Sequence, residues 1–205
     1  MSAHLEAVQL DYTTQYKLFG RFRQEVFADQ LGWVSGDVVS RLELDQFDPT
    51  AYHLGVYINH QLVGYVRIVV ASQLHGLLMQ QGAFRGLSPP EVPAVATIAE
   101  VSRLGLAASV QHSGRLAFCV LQALFIGIYD FCIQRGITEL YAIADDVNLA
   151  GYNHVKFLTK HLGFEVIGTA CQLAPGVDTK LLRLTAADAL QRPNVQRLLG
   201  IVQPK

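Results

Sequence analysis

The chain has 205 residues, 51% of them apolar and 16% charged, which excludes a disordered protein and allows one well-filled core. A formal net charge of −1 excludes a global field that would draw it to nucleic acid. The charge is uneven, however: residues 1–150 hold 9 Lys/Arg against 14 Asp/Glu, and residues 151–205 hold 7 against 3, so the basic C-terminal quarter faces either an acidic partner or plain solvent.

From the N-terminus, TQYKLFGRFRQEVFADQLGW has helical spacing, with Phe19, Phe22 or Arg23, and Phe27 recurring at intervals of three and four. AYHLGVYINHQLVGYVRIVV predicts a β-hairpin in which Asn59, His60 and Gln61 turn between two β-branched runs. HGLLMQQGAF predicts a short helix, ended by the turn-rich RGLSPPEVP. TIAEVSRLGLA reads as an apolar strand interrupted by Glu100 and Arg103. On a regular strand these two side chains face opposite sides, and neither charge is cheap to bury alone.

SVQHSGRLAFCVLQALFIGIYDFCIQRG begins with a polar, glycine-bearing stretch, continues as a long apolar helix and stops at Gly136. ITELYAIAD predicts a strand, and NLAGYNHVKFLTKHLG a helix capped by Gly163. FEVIGTACQL and TKLLRLT form a second hairpin around APGVD. This order predicts a single domain over residues 1–205, an α/β sandwich on a mixed, mostly antiparallel sheet.

Cys119, Cys132 and Cys171 match no metal or redox spacing, which suits a reducing cytoplasm. The seven histidines include no H-x-x-x-H or H-x-H pair, so no metal site is expected. MSAHLEAVQLDYTTQYK lacks the apolar core of a signal peptide. The apolar run from Leu116 to Tyr129 is too short for a membrane span and predicts a buried helix.

Strand, polar glycine turn, long helix, strand, a helix ending in LGF and a final hairpin resembles the GNAT acyltransferase fold. The resemblance implies a twisted sheet whose central fourth strand is bulged and splays from the fifth. A bulge changes the parity, so Glu100 and Arg103 need not face opposite ways. Splaying also leaves backbone amides for a pantetheine arm and an oxyanion. QHSGRLA approaches the family's Q/R-x-x-G-x-G/A turn, with Leu116 where Gly or Ala is expected; its amides serve either a phosphate or a helix cap.

More specifically, the first half resembles the acyl-homoserine-lactone synthases. Their pattern is an Arg, a Phe four later, a Trp six beyond, D-x-x-D, a strand Arg, a lone Phe and E-x-x-R. Here these are Arg23, Phe27, Trp33, Asp45, Asp48, Arg67, Phe84, Glu100 and Arg103, within residues 20–106. The chain departs from the pattern at Leu104, where Phe is usual, and at RIVVASQ, where Pro-Thr commonly follows the strand Arg. YDFCIQRGITELYAIAD resembles the N-acyl amino acid synthases instead, so the departures bear on the amine acceptor.

The resemblance implies a cytoplasmic N-acyltransferase with no tightly bound cofactor. It would move an acyl chain from acyl carrier protein, or from coenzyme A, to the amine of S-adenosylmethionine and close a lactone. The alternatives are an N-acyl amino acid synthase and a non-catalytic acyl-thioester-binding module. Acyl transfer needs a neutral amine, and Glu100, beside Arg103 in the catalytic E-x-x-R, is the candidate base; a structural ion pair with Arg103 or Arg67 is the other reading.

Asp45 and Asp48 with Arg23, Arg67 and Arg103 make either a charged wall for a zwitterionic acceptor or, for D-x-x-D, a turn cap. Phe27, Trp33 and Phe84 line the substrate pocket or fill the core. Lys156 and Lys160, a helical turn apart, offer a docking face for an acidic carrier protein or a solvated surface. Thr159 stands where many GNAT enzymes carry a Tyr acid.

Overall fold

The computed structural model describes residues 5–34, 37, 39–72, 76–81, 84, 87, 95–146, 148–149, 152–174 and 177–200. Apart from Leu87, the RGLSPPEVP turn lies outside them, as do Pro175 and Gly176 of the second hairpin's turn. The residues group into two units interleaved in sequence: Met1–Val69 with Ser102–Asp130, and Val70–Val101 with Phe131–Lys205.

The first unit opens with β1 (Ala7–Leu10) and α1 (Tyr12–Arg23). Asp11 caps α1 by accepting the Thr13 N–H at 3.2 Å, and the chain then widens into a π-helical segment, Gln24–Gln30. β2 (Tyr52–Ile58) and β3 (Gln61–Val70) form the expected hairpin. Its turn is shorter than predicted, because Gln61 already pairs with Ile58. Asn59 and His60 both take positive φ, 49° and 64°, the backbone that a two-residue turn needs to match the twist of its strands. β1 lies antiparallel to β2, with Leu10 opposite His53.

β3 is buried on both faces from Leu62 to Val69, which suits its high content of branched apolar residues. β4 (Ile98–Leu106) contributes its second half to this unit, giving the order β1-β2-β3-β4. A short α2 (Ala108–Gln111) precedes α3 (Gly114–Arg135). By length and composition, α3 is apolar enough to cross a membrane, longer than the run read from sequence. Val120, Leu121, Leu124 and Phe125 are nevertheless buried in protein, as expected of a core helix. A Cβ on Gly64 would overlap Val120 Cγ1, so the glycine lets α3 sit directly on β3.

In the second unit the first half of β4 pairs in parallel with β5 (Glu139–Asp145). The predicted helix from Asn148 is shorter than the sequence suggests. Its first residues form two two-residue strands, β6 (Asn148–Leu149) and β7 (Tyr152–Asn153), and α4 covers only His154–Leu162. The Asn153 side chain decides the start by accepting the Lys156 N–H at 2.8 Å, and Gly163 ends α4 in the left-handed region at φ 82°.

β8 (Glu165–Ala174) and β9 (Val177–Thr185) form the second hairpin, in the order β4-β5-β9-β8. Among its described residues HGLLMQQGAF yields no α-helix but a 3-10 turn, Leu78–Gln80, with Phe84 also in 3-10 conformation. α5 (Ala186–Gln191) and α6 (Pro193–Leu198), like β1, have no counterpart in the sequence reading. They bury Ala189, Val195 and Leu198. The architecture is the expected mixed, mostly antiparallel α/β class.

β4 carries the expected irregularity. Arg103 has φ 55°, left-handed backbone inside a strand, and this breaks the alternation after Glu100. The parallel ladder stops at Val101 opposite Ala142, although β5 runs on to Asp145.

Candidate active site

Within the first unit, separate elements deliver three arginines to three carboxylates. Arg23 ends α1, Arg67 lies in β3 and Arg103 in β4; Glu43, Asp45 and Asp48 come from the segment before β2. Arg23 is fully buried and donates through Nε to Glu43 and through Nη1 to Asp48. Arg67, also fully buried, donates through Nη1 to Asp45 at 2.6 Å and Asp48 at 2.8 Å, and through Nε to Ser102 at 3.0 Å. Arg103 meets Glu43 with Nη2 at 2.9 Å and comes within 3.5 Å of Asp45. Three cations thus face three anions, a balance without which so much buried charge would be prohibitively costly.

The turn-cap reading of D-x-x-D holds, and both acids also pair with Arg67. Asp48 accepts the backbone N–H of Asp45 at 2.6 Å, and Asp45 accepts that of Phe47 at 2.9 Å, so the acids cap their own turn while pairing with arginines. Arg67 pairs with Asp45 and Asp48, and Arg103 with Glu43 and Asp45. Arg23 Nη2 and Arg67 Nη2 are buried without a hydrogen-bond partner among the described residues. These spare donors suit an ordered water or an oxygen of a bound molecule.

His53 and Tyr65 support the turn from below. The Asp48 carbonyl can only accept, so His53 Nε2 donates to it at 2.9 Å, and Nδ1 accepts from the Tyr65 hydroxyl at 2.7 Å. Burial pushes the His53 pKa down, and the Arg23 and Arg67 charges push the same way, against the pull of Asp48. Burial also pushes the Tyr65 phenol up, keeping its proton for His53.

Two aromatic candidates lie in the same unit. Trp33 donates its backbone N–H to Phe27 O at 2.8 Å, and their rings stack 6.1 Å apart. Phe27 is buried, whereas Trp33 is 42% exposed. The Arg103 guanidinium lies 6.0 Å from the Phe27 ring centroid. A Cβ on Gly105 would come within 2.8 Å of the Phe27 ring, so β4 needs glycine there.

The other candidates belong to the second unit. Glu100 is 1% exposed, faces Tyr141 in the β4–β5 ladder, and accepts the Met79 N–H at 2.9 Å. Phe84 is half-buried. Lys156 and Lys160 are both exposed on α4. Thr159 donates its hydroxyl to the Val155 carbonyl at 2.9 Å.

The sequence reading missed Glu43, His53, Tyr65 and Ser102. Only Glu43 left a legible sign: in LELD it stands between leucines and two residues before Asp45, the spacing of one face of an extended chain. Burial would raise its pKa, but Arg103 and Arg23 more than offset this and hold it at about 2; Arg67 likewise holds Asp45 low against burial.

A carboxylate depressed in the fold stabilises the protein above its unfolded pKa, and that stability is lost as pH falls through the folded value. Stability should therefore decline from roughly pH 4.5 towards pH 2, Glu43 accounting for on the order of 3 kcal/mol. Urea midpoints measured across that window should fall more steeply for wild type than for Glu43→Gln.

The family model described as autoinducer synthase matches residues 7–150. An acyl-homoserine-lactone synthase of Aeromonas salmonicida is 31% identical over 128 residues, 60% of this chain; the match spans 59% of that relative's length. Among solved structures, TofI in a ternary complex with an inhibitor and MTA has a TM-score of 0.71 at 16% identity, covering 95% of this chain and 96% of that one. BjaI, a CoA-dependent acyl-homoserine lactone synthase with SAM and isopentyl-CoA, has a TM-score of 0.73 at 17% identity, covering 96% and 88%. At these identities the structures speak for the fold alone; a structure described as an acetyltransferase of the GNAT family from Desulfovibrio desulfuricans, with a TM-score of 0.52 at 14% identity and covering 89% of this chain and 99% of that one, bears out the GNAT-like fold. With the family model matching most of its length, the chain belongs to the autoinducer synthase family.

Proposed function

We propose that the protein is an acyl-homoserine-lactone synthase that acylates the amine of S-adenosylmethionine. The observation that carries this reading is the buried, charge-balanced network of Arg23, Arg67, Arg103, Glu43, Asp45 and Asp48. Its accessible members, Asp45 at 24% side-chain exposure and Arg103 at 16%, offer one group of each sign. A zwitterionic, sulfonium-bearing acceptor matches such a surface: its cationic groups suit Asp45 and its carboxylate suits Arg103. BjaI has been seen with SAM and isopentyl-CoA, and TofI with MTA, which fits the same chemistry.

In this scheme Glu100 takes a proton from the acceptor's ammonium, directly or through water, and the free amine attacks the thioester carbonyl. The C–N bond forms as the C–S bond breaks, and the thiolate leaves with a proton. The acceptor's carboxylate oxygen then attacks the carbon that bears the sulfonium, closing the lactone and expelling methylthioadenosine. Phe27, Trp33 and Phe84 contribute apolar surface to the substrates. The donor is acyl carrier protein in this reading, docked on Lys156 and Lys160 of α4, and the reaction is placed in the cytoplasm.

Purified protein should release methylthioadenosine in step with free thiol when given S-adenosylmethionine and an acyl thioester. The carrier-bound donor should have the lower KM, and reversing Lys156 and Lys160 to Glu should raise that KM at low salt without affecting acyl-CoA. Thiol release that requires a free amino acid and yields no methylthioadenosine would replace this reading with N-acyl amino acid synthesis. Equal use of acyl-CoA by wild type and the double reversal, with no preference for the carrier, would remove the docking face.

A further inference from the structure

We propose that Glu43 is a positioning residue for Arg103, gripping one edge of the guanidinium so that the other edge is presented to the acceptor's carboxylate. The proposal rests on the function proposed above and adds to it a residue outside the nine-position motif. Glu43 takes the Nε edge of Arg103 from the side: Nε lies 3.3 Å from Oε1 and 3.2 Å from Oε2, and Nη2 lies 2.9 Å from Oε1. Nη1 has no hydrogen-bond partner among the described residues. A planar guanidinium held along one edge has its remaining donors fixed in direction, which a single point contact would not achieve.

Glu43 is itself anchored. Its backbone N–H donates to Gly20 O at 3.0 Å, and its carboxylate accepts from Nε of the fully buried Arg23. Arg103 is thereby tied to α1 through one acid. The tie acts on a residue whose backbone is left-handed, at φ 55°, a conformation that persists in a non-glycine residue only where its surroundings hold it. Charge balance alone needs only an acid near Arg103, not one laid along its Nε edge. The grip sets direction as well as charge.

Glu43→Gln keeps the shape and one acceptor oxygen but loses the charge and the second acceptor. It should lower kcat/KM for S-adenosylmethionine by on the order of thirtyfold, mainly through KM, with the acyl-donor KM little changed. In an Arg103→Gln background the same change should cost less than about twofold, because the partner it positions is gone. Equal losses in both backgrounds would show that Glu43 acts elsewhere and would overturn the proposal.

A second readout needs no turnover. In 15N-arginine NMR spectra, the Arg103 Nε–H should exchange slowly in wild type and quickly in Glu43→Gln; persistent protection in the variant overturns the grip. Because this arm is independent of product, wild type that forms no product sinks the proposed function while the NMR comparison still decides the role of Glu43. If Glu43→Gln fails to fold, Glu43→Asp, which withdraws the charge by one methylene, takes its place in both measurements.

Discussion

Glu100→Gln should lower turnover by on the order of a hundredfold or more while the protein stays folded. The expected separation of activity from stability comes from one bond among those that Glu100 makes. Its Oε2 accepts the Met79 N–H at 2.9 Å, and the carbonyl oxygen of a glutamine can accept the same bond. The substitution therefore spares that hydrogen bond and removes basicity. Glu100 is 1% exposed, on a strand whose neighbours Ala99 and Val101 are also buried, so bulk water cannot readily substitute as the base.

Single-turnover measurements at saturating substrate, beside a thermal melt, make the distinction. Near-normal turnover in folded Glu100→Gln would remove Glu100 from the chemistry. A variant that loses stability and activity together would return Glu100 to a structural role.

Asp48→Ala should be the most damaging single change to the fold, by about 3–5 kcal/mol. Asp48 is fully buried and accepts from Arg23 Nη1, Arg67 Nη1 and the Asp45 N–H. Without it, three cations face two anions inside the protein, and the D-x-x-D turn loses its cap. The cost is that of leaving buried charge uncompensated, which exceeds the net value of any one pair. For a chain of this length the melting temperature should fall by on the order of 10 °C.

Added salt should change the loss little, because buried pairs are poorly screened. Urea unfolding at neutral pH gives the value, and a loss below about 1 kcal/mol would mean that the network does not depend on Asp48. Asp45→Asn is the useful contrast: its side chain is 24% exposed, so water can take over part of its role.

The sequence by itself determined what depends on near neighbours. The hairpin turn at Asn59 and His60, the apolar run of α3 and the Gly163 cap are local features and were legible, although the turn was read one residue too long. The nine motif residues were legible as a pattern, and the strand irregularity between Glu100 and Arg103 was expected from the resemblance. β1, α5 and α6 were missed because short segments carry too few residues for a period to show.

Tertiary structure alone decided the pairing within the charge network. The Arg103–Glu43 contact spans 60 positions, Arg67–Ser102 spans 35 and Arg23–Glu43 spans 20. No local spacing reports partners that far apart in the chain. The left-handed backbone of Arg103 is likewise absent from local preference, because an arginine adopts it only when distant residues hold it there. Composition and pattern named the charges; packing decided which acid holds which arginine, because the cost of burying each charge depends on the partner that folding brings to it.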